Sequence, residues 1–395
     1  MYRSRAVVLG AGIVGAACAR ELAHAGFETL VVDRAGPAGA TSAHGEGNVL
    51  VSDKGPGPEL ELAVLSRRLW PGTLEEIGQR HPERAGAAEW IPKGGIVVAT
   101  SDAGAEALMS FADEQRAAGV RAERLGSGAL LAAEPHLTPA HTAAVHYPDD
   151  AQVQPTGAAA ALLADALDAG AELRTGCEVT GAVVRDGRLT GVRHRDGVLG
   201  GDLFVNAAGP WAGRLGTLLG APVHVEPRRG DVLVTAPLPP TVFHKVYDAD
   251  YVGAVGSSAE DLQTSAVVES TRAGTVLIGS SRRRVGFDAR LRPEALSAVA
   301  RKALRLFPSL AGVPVMRAYG GFRPYVPDHL PVIGADPRLP GLWHATGHEG
   351  AGIGLSVGTG RLLAELVTGR EPSLDPAPFR VDRPAVTDRV EEERA

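Results

Sequence analysis

Cysteine is nearly missing: Cys18 and Cys177 are the only two among 395 residues. Two thiols cannot staple a fold, and neither matches a metal-ligand spacing, so a disulfide scaffold and a structural metal site are both excluded. Aromatic residues are scarce at 5%, and no apolar run approaches the roughly 20 residues that span a bilayer. Positive charge is not in excess either. Forty Lys and Arg against 46 Asp and Glu leave a net charge of −6, which gives no electrostatic footprint for nucleic acid. Met1 runs almost directly into a strand-like segment, which leaves no room for a signal peptide and predicts a cytoplasmic protein.

What is plentiful is glycine, at 50 residues. The first cluster is the most informative. Ala6-Val7-Val8-Leu9 reads as a buried strand, Gly10-Ala11-Gly12-Ile13-Val14-Gly15 as a tight turn entering a helix, and Thr29-Leu30-Val31-Val32-Asp33 as a second strand ending in an acid. Gly10 permits the turn, Gly12 lets backbone N–H groups approach a pyrophosphate, and Gly15 lets helix and strand pack closely. Asp33 stands where a carboxylate accepts from the hydroxyls of an adenosine ribose. The pattern predicts a dinucleotide site with phosphates at a helix N-terminus.

The length exceeds a single core, so two packed domains are expected. Residues 34–47 are small-sided and read as a loop that wraps a ligand. Helices are expected at 59–80, interrupted by Pro71, and at 106–118, 158–169 and 295–306. A hairpin follows at 182–192. From about 223 to 285 short strands succeed one another without helices, which predicts an antiparallel sheet. Within it Ser281-Arg282-Arg283-Arg284 reads as a solvated edge or a substrate-side patch. Gly350-Ala351-Gly352-Ile353-Gly354 opens a last helix. The resulting division is discontinuous: 1–85, 148–222 and 318–382 bind the dinucleotide, 86–147 and 223–317 bind substrate, and 383–395 form a flexible tail.

Taken together, Gly10 to Gly15, Gly39-Ala40-Thr41-Ser42, Val205-Asn206-Ala207-Ala208-Gly209-Pro210-Trp211, Phe322-Arg323-Pro324 with Asp328, and Gly347-His348 leading into Gly354 resemble the D-amino-acid oxidase family of FAD enzymes. That family includes glycine oxidase and sarcosine oxidase. His44-Gly45-Glu46-Gly47-Asn48 and Val51-Ser52-Asp53-Lys54 resemble more narrowly the flavoprotein subunits of D-hydroxyproline, octopine and nopaline dehydrogenases. The resemblance implies an α/β fold of glutathione-reductase-2-like type, a Rossmann-like FAD-binding domain joined to an α+β substrate domain with a mixed or antiparallel sheet. It implies noncovalent FAD, since no cysteine stands near 322–328.

The same resemblance distributes roles. Gly10, Gly12, Ile13, Val14, Gly15, Asp33, Arg34, Thr41, Ser42, Val179, Ala208, Gly209 and Trp211 would hold the adenosine and pyrophosphate side. Gly347, Gly350, Ala351, Gly352, Ile353 and Gly354 would bring N–H groups to the flavin N1–C2=O edge, where negative charge gathers on reduction. Arg323 would clamp a substrate carboxylate in a two-pronged grip, with Tyr247 and Tyr251 closing over it. His44, His348 and Asn48 would border flavin and substrate. The implied reaction oxidises the C–N bond of a small amino or imino acid to an imine by hydride transfer to flavin N5. Partner subunits carrying an iron–sulfur centre are implied by the narrower resemblance. Oxidation of a 2-hydroxy acid and a nicotinamide-dependent dehydrogenase remain open.

Overall fold

Arg5–Leu9 is apolar on both faces from Ala6 onward, and a strand buried on both faces belongs inside a parallel sheet. In the computed structural model, which describes residues 4–387, it pairs in parallel with Glu28–Val32 on one side and Leu203–Asn206 on the other. The six-stranded sheet runs Val332–Ala335, Leu342–Thr346, Leu203–Asn206, Arg5–Leu9, Glu28–Val32, Glu172–Arg174. Only the edge strand Val332–Ala335 is antiparallel to its neighbour. Helices Ile13–His24, Pro155–Asp168 and Gly352–Thr368 pack together on one face. A three-stranded meander covers the other, where Leu189, Val192 and Leu199 meet Val7, Leu9 and Phe204. Its hairpin turns through Asp186 (φ 49°) and Gly187 (φ 73°), both left-handed, as a two-residue hairpin turn demands.

The second sheet has eight strands, ordered Val315–Tyr325, Glu226–Thr235, Val276–Arg282, Gln263–Ser270, Lys245–Asp248, Gly95–Ala99, Ala143–Tyr147, Glu123–Arg124. Its pairs are antiparallel except Lys245–Asp248 with Gly95–Ala99. Alternation along these strands sorts the two faces. Ile96, Val98, Val246 and Val268 pack against helix Pro293–Leu306 through Val299, Ala303 and Leu306. Val97, Tyr247 and Val267 join the large core shared with the first layer. The sheet face that carries the odd-numbered side chains here therefore looks toward the first sheet's helices.

Three expectations need correction. Val315–Tyr325 pairs with Glu226–Thr235 over its whole length, so the second sheet extends to Tyr325, past the boundary expected at 318. Helix Pro58–Arg80 runs through Pro71 without interruption. Residues 383–387 are anchored: Arg383 Nε donates to Asp328 at 2.6 Å, and Val386 is fully buried beside Val381, Val223 and Val225. Residues 388–395, the rest of the expected tail, lie outside the described residues. Among the described residues no helix is long and apolar enough to cross a membrane.

Candidate active site

The glycine turn sits at the C-terminal end of the parallel sheet, where Leu9, Val32, Asn206 and Thr346 all finish. Ligands of open α/β sheets bind outside these strand ends. Gly10 has φ +122°, and a Cβ there would meet the Ala207 carbonyl oxygen at 2.5 Å. A Cβ on Gly15 would run into the Gly10 carbonyl. Only glycine fits at either position. Asp33 is fixed by the turn it was expected to serve, its Oδ2 accepting from the Ala11 N–H (2.9 Å) and its Oδ1 from the Ala35 N–H (2.8 Å).

Ser42 Oγ accepts the Ile13 N–H at 3.0 Å, and Thr41 Oγ1 donates to the Phe322 carbonyl at 2.7 Å. Gly12 and Val14 flank Ile13 in the helix entry. Ala208 N–H reaches Asn206 Oδ1 at 3.3 Å, and Gly209–Trp211 forms a short 3-10 turn. The Arg34 guanidinium lies 4.1 Å above the Trp211 ring. Val179 stands on the loop below and packs its side chain against the meander core.

The second glycine cluster follows the strand Leu342–Thr346. Thr346 Oγ1 donates to the Gly209 carbonyl at 3.0 Å, which ties the two clusters together. Gly347 takes φ +79°, Glu349–Ala351 makes a 3-10 turn, and helix Gly352–Thr368 begins. Ile353 is buried, and the Gly354 carbonyl accepts from Ser66 Oγ (2.6 Å) and Trp70 Nε1 (3.0 Å). The helices Ile13–His24 and Gly352–Thr368 both start here, and neither has an acid in its first turn. Two helix N-termini with no acid in their own first turns, one of them with Ile13 N–H held by Ser42, beside a glycine cradle fit FAD, which carries a diphosphate and a ring that becomes anionic when reduced.

His348 departs from its expected role. It is 2% exposed, its Nε2 bonds Thr359 Oγ1 at 2.9 Å, and burial pushes its pKa down to about 3. A neutral, engaged imidazole clips the glycine turn to the helix and carries no positive charge near neutral pH. Tyr247 departs likewise. It is fully buried, its hydroxyl bonded to Ser52 Oγ, which in turn bonds Asp150. Tyr247 is a core clip and does not reach over a carboxylate.

Arg323 stands on strand Val315–Tyr325, half-buried, with Nη1 donating to the Ser281 carbonyl at 2.9 Å. Among the described residues no carboxylate lies at salt-bridge distance from it. Desolvation and the adjacent Arg282 guanidinium press its pKa down to about 10. Asp328, five residues on in the same motif, is not its partner, since Asp328 binds Arg383. Gly230 on the neighbouring strand lies directly beneath this guanidinium, and a Cβ there would collide with it. Tyr251 packs edge-on to Tyr247 (ring centroids 5.0 Å) and under Arg282 (4.7 Å), and its hydroxyl makes no hydrogen bond among the described residues. His44 bonds the Ala40 carbonyl through Nδ1 at 2.7 Å and meets Tyr319 edge-on, with ring centroids 5.9 Å apart. Asn48 donates to Glu46 Oε2 at 3.3 Å and accepts from Lys245 Nζ. A cavity of about 250 Å³ opens beside this loop, lined among others by Glu46, Gln152, Leu277, Arg317 and Tyr319.

Sequence reasoning missed the buried charges around these groups. Arg228 (fully buried) pairs with Glu349 at 3.2 Å, Lys245 with Glu269 at 3.2 Å, and Lys93 with Glu269 at 3.8 Å. It also missed Asp150, which accepts the Val51 N–H (2.9 Å) and Ser52 N–H (3.3 Å). No local signal marks them, because each partner comes from a distant part of the chain.

Burial raises the Asp150 pKa to about 7, outweighing its hydrogen bonds. A carboxyl raised in the folded state holds its proton more tightly there. Its contribution to stability is therefore full below its ordinary pKa of about 4 and is lost as pH rises toward 7. Asp150→Asn keeps an acceptor for both backbone N–H groups and reverses the Ser52–Tyr247 relay. Thermal melts of the two proteins should show the variant gaining on wild type from pH 4 to 7; parallel curves would exclude this titration.

Known proteins resemble this chain along nearly its whole length. A glycine oxidase of Pseudomonas putida is 31% identical over 384 residues, covering 94% of this chain and 97% of that protein. A D-amino acid dehydrogenase of Cereibacter sphaeroides is 28% identical over 435 residues, covering 98% and 96% respectively. The crystal structure of glycine oxidase from Geobacillus kaustophilus superposes with a TM-score of 0.86 at 28% identity, over 97% of this chain and 99% of that one. The family model described as DAO, FAD dependent oxidoreductase, matches residues 5–366, which sets aside the nicotinamide alternative. The chain belongs to the DAO family of FAD-dependent oxidoreductases.

Proposed function

We propose that this FAD-dependent enzyme oxidises the C–N bond of a small amino acid that Arg323 holds by its carboxylate. One observation carries the reading: a desolvated guanidinium with no carboxylate partner among the described residues stands beside the glycine turn of the second helix start. A buried cation without a counter-ion is costly unless a ligand supplies one. FAD, when bound, supplies the two-electron acceptor.

The chain's residues do the rest. Gly10 to Gly15, Asp33, Arg34, Thr41, Ser42 and Ala208 to Trp211 hold the adenosine and diphosphate end, with Val179 beneath. Gly347 and Gly350 to Gly354 hold the ring end. Arg323 fixes the substrate's orientation by two parallel charge-assisted hydrogen bonds, and the free Tyr251 hydroxyl adds a third donor. Asn48, fastened to Lys245, and His44, fastened to Ala40, hold the loop that borders the reacting carbon. The cavity beside Glu46 and Tyr319 is the entry, sized for a small amino acid rather than a peptide.

Attachment of FAD is noncovalent on this reading, because Cys18 lies buried in the first helix and Cys177 at the adenosine end. Two free thiols accord with a cytoplasmic location. We divide the chain at the two sheets, with Tyr325 the last residue of the substrate side. For the electron acceptor we favour oxygen, as in the glycine oxidases, over an iron–sulfur partner subunit; the Pseudomonas putida glycine oxidase is 31% identical to this chain and the D-amino acid dehydrogenase 28%.

Anaerobic mixing of the yellow holoenzyme with glycine, sarcosine, D-alanine, proline, hydroxyproline and lactate tests the reading. Bleaching by an amine and not by lactate is the expected result. Bleaching by lactate alone would transfer the reading to 2-hydroxy acids. Admitting air then tests the acceptor: rapid return of colour supports oxygen, and persistence until an artificial dye is added supports a partner.

A further inference from the structure

The run Ser281-Arg282-Arg283-Arg284 was open to two readings, and burial rejects the solvated edge: Arg282 is 3% exposed and Arg283 8%. The three arginines then divide. Arg283 reaches Asp231 at 3.5 Å, and Arg284 reaches Glu226 at 3.6 Å and Glu260 at 2.8 Å. Arg282 has no carboxylate at salt-bridge distance among the described residues. Among the described residues its one side-chain hydrogen bond runs from Nη1 to Ser280 Oγ at 3.0 Å, and its Cζ lies over the Tyr251 ring, 4.7 Å from the centroid. A guanidinium has five N–H donors, so most of its rim is unused.

Arg282 also stands next to Arg323. The residue before it, Ser281, accepts the Arg323 hydrogen bond through its carbonyl, and the charge of Arg282 depresses that of Arg323. The carboxylates Arg323 feels most are committed elsewhere, Glu349 to Arg228 at 3.2 Å and Glu46 to Lys245 at 3.9 Å. Among the described residues two neighbouring guanidiniums are left without counter-ions. One substrate carboxylate neutralises one of them.

We infer that Arg282 is a second carboxylate-binding residue, so that the preferred substrate is a small amino acid carrying two carboxylates. The inference rests on Arg323 being the first carboxylate clamp, as proposed above. Strand geometry fixes the pair: Arg282 ends Val276–Arg282 and Arg323 lies on Val315–Tyr325, both flanking Glu226–Thr235. Tyr251 holds the Arg282 fork by its face, which leaves the rim to a ligand.

Two measurements on the holoenzyme test it. In the first, kcat/KM for iminodiacetate, D-aspartate and L-aspartate is compared with that for glycine and sarcosine, in wild type and in Arg282→Met. The expected result is a wild-type preference for at least one dicarboxylate. The variant should lower that preference ratio by at least about 30-fold, the low end for removing one partner of a buried charge pair. An unchanged ratio, or a wild-type preference for glycine over every dicarboxylate, overturns the inference.

The second needs no variant and no turnover. Diglycolate and methoxyacetate, which differ by one carboxylate, are titrated into wild type and followed by the flavin absorbance. Tighter binding of diglycolate supports the second arginine and equal binding overturns it, even if Arg282→Met fails to fold. If no amine bleaches the flavin, the proposed function fails; if amines bleach it without dicarboxylate preference, only this inference fails.

Discussion

Arg323→Ala should lower kcat/KM for the amino acid substrate by about 30- to 5,000-fold, corresponding to the roughly 2–5 kcal/mol lost when one partner of a buried hydrogen-bonded charge pair is removed. The half-buried guanidinium is already partly desolvated, lying over Gly230 and bonded to the Ser281 carbonyl beside it. Its position therefore costs no reorganisation when substrate arrives, and the full interaction contributes to orienting the reacting carbon. Both KM and kcat should suffer, because a carboxylate that is loosely held also lets the C–H bond wander. Arg323→Lys should fall between wild type and the alanine variant, since an ammonium keeps the charge and loses the fork. Steady-state kinetics on FAD-loaded protein checks this, with the absorbance spectrum confirming equal cofactor content. Wild-type kcat/KM in the alanine variant would remove Arg323 from the site.

The parts of this enzyme that were legible in its sequence are the parts built from neighbours in the chain. Gly10, Gly15 and Asp33 belong to one strand–helix–strand unit, so spacing alone places the turn at a sheet end. Gly350 to Gly354 likewise declares a helix start. Arg323 was legible only as a motif. Its solitude was not, because the absence of a counter-ion depends on Glu46, Glu349 and Asp328, each held by a residue far away in the chain.

Tyr247 shows the opposite failure. As a residue it suits a carboxylate lid, but strand alternation turns its ring into the shared core and its hydroxyl onto Ser52. His348 fails similarly: a loop histidine reads as available, and a helix packed over it makes it neutral and inaccessible. The arginine run at 282–284 reads as surface in any local window. It is buried because Val276–Arg282 is an interior strand with Glu226–Thr235 and Gln263–Ser270 on either side. Charge patterns report exposure only for residues whose neighbours are known.

Lys245 draws these threads into the second large effect. It is 1% exposed on the strand Lys245–Asp248, and burial opposes its charge, yet Glu269 and Glu46 raise its pKa above the ordinary lysine value. Its ammonium sits between Glu269 (3.2 Å), Glu46 (3.9 Å) and the Asn48 side-chain carbonyl. One cation thus joins the middle of the second sheet to the loop at 44–48, which is proposed above to border the reacting carbon. Lys245→Met preserves length and removes the charge. Glu269, fully buried and with neither oxygen hydrogen-bonded, would then have only Lys93 at 3.8 Å. Breaking a buried pair by removing one partner destabilises by about 3–5 kcal/mol, because the remaining charge is uncompensated. The holoenzyme should therefore melt several degrees lower, and release FAD at a lower temperature, as Asn48 and Glu46 lose their anchor. Adding Glu269→Gln removes the stranded carboxylate and should recover a large share of the loss. Melting curves by circular dichroism, read beside flavin fluorescence, distinguish the cases. If Lys245→Met alone melts with wild type, the ion cluster does not hold the two layers together. If the double variant recovers stability but still sheds FAD early, the lysine acts on the loop through Asn48 rather than through charge balance.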